Sequence, residues 1–529
     1  MRLLSALFTC LAIASGQTLP YDLVIRNGHI YDGTGNPWFV GDIAIRGDTI
    51  AAMGKLPPHA SAQTIDARGL AVSPGFVDTH SHGRRGIFDV PSAESSTRQG
   101  ITTLIEGPDG GSPVPLQPFL DRVRAAPAAV NFGMMVGHGS VRSAVMGSQN
   151  RKATEVEIRK MKEIVRQAML DGAFGMSTGL FYVPGNYAPV EEVIELAKVV
   201  AAYGGIHTSH VRNEAEGVLD SARETVRIGE EGGLPTQQTH VKVVGRKQWG
   251  WSTKVLEIVD EARRRGVDAT LDLYPYTASS TGTAAMFPQW SMAGGAKALR
   301  ERLVAPESRA KIKAEIVLAL RDGRGAGDAR NVVMAACGFD PGLAGKSLAE
   351  LTREAGREPS LENAAETAIE IQMKGGCSAV YHAMDEADVE RFLRAPYTMI
   401  ASDGELLAPG RTMPHPRSYG AFARVLGRYV RERKTISLED AVRKMSSLPA
   451  ARFGLRDRGL LRPGMKADIA VFDPTVAGDT ATYERPHSYA AGFRHVFVNG
   501  KAVILDGKVT AARPGRVLTG PGYAGSVKQ

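Results

Sequence analysis

Near the start of the chain, hydrophobic and polar positions alternate. Tyr21 to Gly28 reads as a strand ending in a glycine turn, and Gly41 to Asp48 as a second, with a hairpin signal at Arg46-Gly47-Asp48. Ile50 to Gly54 continues the texture. The C-terminal stretch repeats it. Ala467 to Pro474 is strand-like, Val496 to Val503 contains an Asn499-Gly500 hairpin turn, and Leu505 to Val509 adds a short run. Strand-rich ends around a different middle predict a small β-sandwich built from both termini, residues 17–72 and 456–529.

The middle, residues 73–455, alternates strand and helix. Apolar strand-like runs fall at 73–79, 101–107, 132–138, 173–178, 204–210, 234–240, 267–273 and 397–403. Between them, Val156, Met161, Ile164, Val165, Ala168 and Met169 recur near helical spacing in Glu155–Asp171, and Val218–Gly232 and Val255–Gly266 behave alike. Eight such units predict an α/β fold, a parallel (β/α)8 TIM-like barrel. An open doubly wound sheet is the alternative, but no G-x-G-x-x-G opens a helix. Between the seventh and eighth runs lies a spacer, about 284–395, that reads as mostly helical (Ala296–Leu303, Ser308–Arg321, Leu361–Lys374). At the strand-end face of a barrel, such an insertion is placed to act as a lid.

Composition removes several classes. The 529 residues are 43% hydrophobic and 23% charged, which excludes a disordered chain, a coiled coil and a collagen-like fibre. The net charge of +8 is small for this length, and no basic run exceeds Arg263–Arg265, so nucleic acid is not expected as a partner. Residues 1–16 predict a secretory signal peptide. Arg2 precedes an apolar run from Leu3 to Ala14, too short to cross a ~30 Å hydrocarbon core. Ala14-Ser15-Gly16 supplies the small residues before cleavage at Gln17. The mature chain is expected to be exported, periplasmic or extracellular, with no membrane attachment after cleavage. It keeps Cys337 and Cys377. One bridge in an oxidising compartment and two separate buried thiols are both open.

The informative residues are the histidines at strand ends. His80-Ser81-His82 follows the first barrel run, and alternation puts both imidazoles on the same side of a strand. At a barrel strand's C-terminal end both would point into the mouth, where two imidazoles make a pair of metal ligands. His210 closes the fifth run, His240 the sixth and Asp403 the eighth. Any one of these reads equally well as a satisfied polar residue at a strand terminus. Four histidines and an aspartate at four strand ends read as a metal centre.

With these residues in place, the chain resembles the amidohydrolase superfamily of metal-dependent hydrolases, and within it the N-acyl-D-amino-acid deacylase (D-aminoacylase) family. The resemblance rests on Ser73–His82 (SPGFVDTHSH), Gly100–Thr103 (GITT), Val136–Arg142 (VGHGSVR), Gly175–Tyr182 (GMSTGLFY) and Ser209–Glu214 (SHVRNE). It continues in Thr239–Gly245 (THVKVVG), Asp272–Tyr276 (DLYPY), Ile400–Gly404 (IASDG), Pro414–Gly420 (PHPRSYG) and Arg462–Pro474 (RPGMKADIAVFDP). It covers nearly the whole mature chain. One position departs. Where the family carries a cysteine after strand two, this chain has Asp109, with Glu106 three residues earlier. Either carboxylate fits as a ligand, and a carboxylate is harder than a thiolate, which widens the range of divalent ions accepted. Glu106 also fits as a buried carboxylate paired with Arg142 or Lys242. Strand four lacks the lysine that many dinuclear relatives carboxylate, which disfavours the hydantoinase and dihydroorotase readings.

The resemblance implies roles. His210 and His240, with Asp109 or Glu106, hold one divalent metal. His80 and His82, with Asp403, form a second position. The metal is zinc, as one or two ions. Asp403 is the catalytic proton shuttle. Tyr182, Lys242, Ser280 and Arg417 bind the substrate carboxylate. His138 and Arg142 either hydrogen-bond a metal ligand or touch substrate. His382 is placed to face an acyl pocket, and His29, His59, His487 and His495 are read as surface or structural. The implied reaction is hydrolysis of N-acyl-D-amino acids to a carboxylate and a free D-amino acid, with a small molecule as the partner. The alternatives are another N-acyl amide or dipeptide, and an exported metal-binding homologue without turnover.

Overall fold

The computed structural model describes residues 20–525 save His59 and Arg411. The expected signal peptide and His59 lie outside the described residues.

The two termini meet in a single nine-stranded sheet. From the C-terminal side, Lys508–Val509, Lys501–Leu505, Phe493–Val498 and Ile469–Phe472 pair in that order. Ile469–Phe472 then pairs antiparallel with Ala71–Pro74, Ile469 opposite Pro74, which joins the two ends of the chain. Tyr21–Ile30, Phe39–Arg46 and Thr49–Gly54 complete the path, and Ser61–Asp66 pairs beside Tyr21–Ile30. Alternation decides the faces. Ile25, Ile43, Ile45, Ile469 and Val471 fill one core, while Val24 and Ala44 turn to the other side against Ala60. The hairpin at Asn499-Gly500 has φ of 47° and 76°, the left-handed pair that a tight turn between twisted strands requires.

The barrel strands are Phe76–Asp78, Ile101–Glu106, Asn131–Met134 continuing as Val136–Gly137, Gly175–Gly179, Ile206–His210, Thr236–Gln238, Ala269–Leu273 and Thr398–Ile400. All pair in parallel, in an arc of three and an arc of six. The third strand breaks at Met135, whose N–H donates to Glu106 O at 2.8 Å. The last strand reaches the first through Asp403 N to His80 O and His82 N to Gly404 O, both 2.8 Å. Amphipathic helices cover the outside. Glu155–Asp171 starts on a capping box made by Thr154 and Glu157 and buries Met161, Val165, Ala168 and Met169.

The insertion after strand seven differs from the helical spacer expected. Its helices Gly295–Val304, Pro306–Asp322, Leu348–Glu354 and Leu361–Met373 pack on a three-stranded antiparallel sheet of Ser279–Gly282, Cys377–Tyr381 and Val332–Cys337. Ile312, Ile316, Leu320, Met334, Leu348 and Ile369 give this unit its own core. Cys337 and Cys377 face each other across the sheet and form a disulfide, which decides between the two states left open by the sequence. The C-terminal tail also differs. Strands end at Val509, and the segment beyond runs along the barrel, with Gly515 N on Ala128 O, Leu518 N on Phe132 O and Gly520 N on Gly172 O. It caps the end opposite the strand C-termini.

Candidate metal centre and cavity

The strand ends converge on one carboxylate. Asp109 follows strand two on a turn whose backbone is forced into the left-handed region, with φ 55°. A Cβ on Gly179, at the end of strand four, would lie 2.1 Å from Asp109 O, so only glycine lets that turn approach. His240 and Asp403 also carry positive φ, 35° and 50°. Non-glycine residues seldom adopt this conformation, and it persists only where surrounding structure imposes it. Here the imposing groups are visible. Asp272 on strand seven accepts the His240 N–H at 2.5 Å and is held in turn by Gln237 and Thr79. Asp78 on strand one accepts the backbone N–H groups of Ser402 at 2.9 Å and His80 at 3.3 Å, clamping strand eight to strand one.

Four imidazoles ring Asp109. His80 Nε2, His240 Nε2 and His210 Nδ1 stand 3.3, 3.3 and 3.5 Å from its Oδ1, and His82 Nε2 stands 3.3 Å from its Oδ2. Asp403 Oδ1 lies 3.5 Å from His80 and 3.1 Å from His82. These residues make two donor groups that share Asp109: His80, His82, Asp109 and Asp403, and Asp109, His210 and His240.

Electrostatics favour a cation here. Burial alone would push Asp109 and Asp403 up. The neighbouring imidazoles at Asp109, and Arg417 with His80 at Asp403, outweigh it and hold both carboxyls well below the usual carboxylate range. Burial works against protonating His82, yet Asp109 and Asp403 carry it up to about 10. Burial and Lys242 drive His240 down to about 3. Both ring nitrogens of His80 and of His210 are buried with no well-formed hydrogen bond. Orphaned imidazole nitrogens between two ionised carboxylates are costly unless a further group binds them. Nitrogen and carboxylate oxygen donors in this arrangement suit Zn²⁺ and its first-row neighbours. The residues fit one or two divalent ions.

Glu106 is not part of either group. It is fully buried at the end of strand two, where Oε2 accepts the Arg84 N–H at 2.9 Å and Oε1 has no partner. Burial pushes it up, toward the neutral form. The expected pairings fail as well, because Arg142 bonds Glu192 and Lys242 bonds Glu214. His138 and Arg142 do meet, but on Glu192 of helix Val190–Ala202, with His138 Nε2 3.0 Å from it. Among the described residues neither makes a hydrogen bond or ion pair with a member of the two donor groups, so the expected hydrogen bond to a metal ligand is not formed.

The donor groups open into a cavity of 540 Å³ that Tyr182, Lys242, Ser280 and Arg417 also line. Tyr182 OH meets Thr281 Oγ1 at 3.2 Å. Lys242 Nζ donates to Glu214 Oε1 at 2.6 Å and reaches His240 Nδ1 at 2.7 Å, which turns His240 Nε2 toward Asp109. Arg417 donates from Nη1 to Asp403 Oδ2 at 2.7 Å and from Nη2 to Ser280 O at 3.3 Å. His382 is not in the cavity; its ring packs against Tyr483, 4.6 Å between centroids. His29 stacks on Trp38, and His487 bonds Tyr419.

Among the cavity residues that the sequence did not single out are Glu214, His415 and Arg324. Glu214 stands four residues after His210 and joins Lys242 to Arg324 of the insertion, 3.2 Å away. His415 donates from Nε2 to Ala278 O at 2.9 Å and accepts the Arg417 N–H on Nδ1 at 3.0 Å, which requires the neutral ring. Glu214 and His415 lay inside runs singled out above. Arg324 had no local signal.

A model described as the amidohydrolase family matches residues 63–504. The D-aminoacylase of Alcaligenes xylosoxydans xylosoxydans is 37% identical over 96% of this chain and 99% of its own. An N-acyl-D-glutamate deacylase of the same organism is 36% identical over 94% and 96%. A crystal structure of N-acyl-D-glutamate deacylase from Bordetella bronchiseptica, complexed with zinc and a phosphonate inhibitor, superposes with a TM-score of 0.81 at 34% identity, over 94% of this chain and 99% of that one.

Proposed function

This chain belongs to the amidohydrolase family, and from that premise we propose that it is a metal-dependent hydrolase of N-acyl-D-amino acids, releasing a carboxylate and a free D-amino acid. One observation carries the reading: Asp109 sits within 3.5 Å of nitrogens from four histidines at the mouth of the barrel. His210, His240 and Asp109 would hold one ion, and His80, His82, Asp109 and Asp403 a second, zinc being the ion of the Bordetella bronchiseptica relative.

A divalent ion lowers the pKa of water from 15.7 toward about 7 and polarises the scissile carbonyl. The chain supplies the rest. Asp403 takes the proton of the attacking water and passes it to the leaving nitrogen. Its Oδ1 faces His80 and His82 while Oδ2 faces Arg417, so one carboxylate addresses both the donor groups and the substrate wall. Arg417, Lys242, Tyr182 and Ser280 receive the α-carboxylate, Arg417 through the guanidinium N–H groups that Asp403 and Ser280 O leave free.

We also propose export. The support is the N-terminal signal pattern and the Cys337–Cys377 disulfide, a bond that persists in oxidising compartments. Among the described residues no helix is long and apolar enough to cross a membrane.

The test is to purify the mature protein, count its metals, and assay N-acetyl-D- and N-acetyl-L-amino acids. Hydrolysis of D and not L members supports the function. No hydrolysis of any member by the metal-loaded protein removes it.

A further inference from the structure

Five cationic side chains line the cavity, and four are already committed. Arg417 pairs with Asp403 at 2.7 Å, Lys242 and Arg324 share Glu214 at 2.6 and 3.2 Å, and Arg85 pairs with Glu405 at 2.8 Å. The fifth is Arg84, two residues beyond His82. Among the described residues its guanidinium makes no hydrogen bond and no ion pair, and only its backbone N–H is used, on Glu106.

Arg84 is half-buried, so this idle charge is partly stripped of water. Glu106 accepts the Arg84 backbone N–H and forms no ion pair with its guanidinium. A partly desolvated guanidinium facing a reaction cavity without a partner carries a cost that an incoming anion relieves. A planar fork of donors suits a carboxylate above other anionic groups of that size.

The α-carboxylate has its own receivers in the cavity lining, where Arg417 and Ser280 are tied together through Arg417 Nη2 and Ser280 O. We propose that Arg84 receives a second carboxylate of the substrate, so that this chain prefers N-acyl-D-amino acids that are dianionic. The proposal rests on the deacylase function above. The second carboxylate has two sources: the amino-acid side chain, or the far end of a dicarboxylic acyl group.

The experiment measures kcat and KM of the holoenzyme on two matched pairs. N-acetyl-D-glutamate against N-acetyl-D-glutamine tests the side chain. N-succinyl-D-methionine against N-pentanoyl-D-methionine tests the acyl group. The expected result is that one acidic member exceeds its neutral partner at least tenfold in kcat/KM, chiefly through KM, and the pair that shows it names the source. Arg84→Met should collapse that ratio, Arg84→Lys should restore part of it, and Arg85→Met should leave the ratio in place. Neutral members turned over as well as acidic ones, or a ratio that survives Arg84→Met, would overturn the proposal while leaving the deacylase reading standing. No turnover of any of the four removes both.

Discussion

Arg417 Nη1 lies 2.7 Å from Asp403 Oδ2, and both side chains are buried. After burial, this guanidinium is the largest influence on Asp403, and it holds the carboxyl far below its ordinary range. A base must be ionised to act, so the pair keeps Asp403 competent at low pH. Arg417→Met removes the cation and raises the Asp403 pKa. The acid limb of the kcat/KM profile should therefore move to higher pH, and kcat/KM should fall about 100-fold, the loss of ~2.7 kcal/mol expected for a charged hydrogen bond. Arg417→Lys should recover part of both. A pH–rate profile of the metal-loaded variants checks this, and an unmoved acid limb would show that Arg417 does not tune Asp403.

Asp403 belongs to one donor group and not to the other. Asp403→Asn should thus separate chemistry from metal. The group of Asp109, His210 and His240 stays complete, so at least one ion should remain bound. Turnover should drop by a factor of order 10³, within the range for loss of a general acid–base. Metal analysis beside single-turnover kinetics reads both. Near-normal turnover in this variant would remove Asp403 from the proton-transfer role.

Asp109 belongs to both groups, which gives a stoichiometric prediction. Asp109→Ala should lose both ions, His82→Ala only one, and His210→Ala the other. Asp109→Cys should hold its ion but shift preference toward softer metals, because thiolate is softer than carboxylate. The left-handed backbone at this position, φ 55°, suits Asp and Asn better than Cys and should cost that variant stability. Elemental analysis after dialysis against matched zinc and manganese decides the first point. Equal metal content in the Asp109→Ala and His82→Ala proteins would contradict a shared ligand.

What could be read from the sequence divides along physical lines. Alternation paired His80 with His82, although both stand beyond the end of strand Phe76–Asp78, and the strand-end positions of His210, His240 and Asp403 followed from the apolar runs before them. Choosing Asp109 over Glu106 was beyond local pattern. It turns on the left-handed backbone at Asp109 and on the space Gly179 leaves for the turn, both tertiary facts. Glu192 and Arg324 were invisible because their partners lie 50 and 110 residues away in the chain. The insertion's strands were missed for a related reason. Val332–Cys337 pairs with Cys377–Tyr381 across three intervening helical segments, so its partner is not visible locally in the chain.

The last prediction concerns stability away from the site. Lys444, on helix Leu438–Met445, is fully buried and donates from Nζ to Ala395 O and to Thr398 O, the second at 3.2 Å. Burial dominates and pushes it from the ordinary 10.5 down to about 8, with Asp440 opposing and Arg443 assisting. Between those two values the unfolded chain keeps a proton that the folded chain has released. Stability from this group therefore rises with pH across that window, and below about 8 the folded protein bears the whole penalty of a buried cation. The change is on the order of 3 kcal/mol at ~1.36 kcal/mol per pKa unit. Lys444→Met has no such group, so the stability of the natural protein relative to the variant should climb from pH 7.5 to pH 10. Urea unfolding of both holoenzymes at pH 7.5, 9 and 10 measures it, with contributions common to the two cancelling in the difference. Parallel stability curves would mean that Lys444 keeps its ordinary titration in the folded protein.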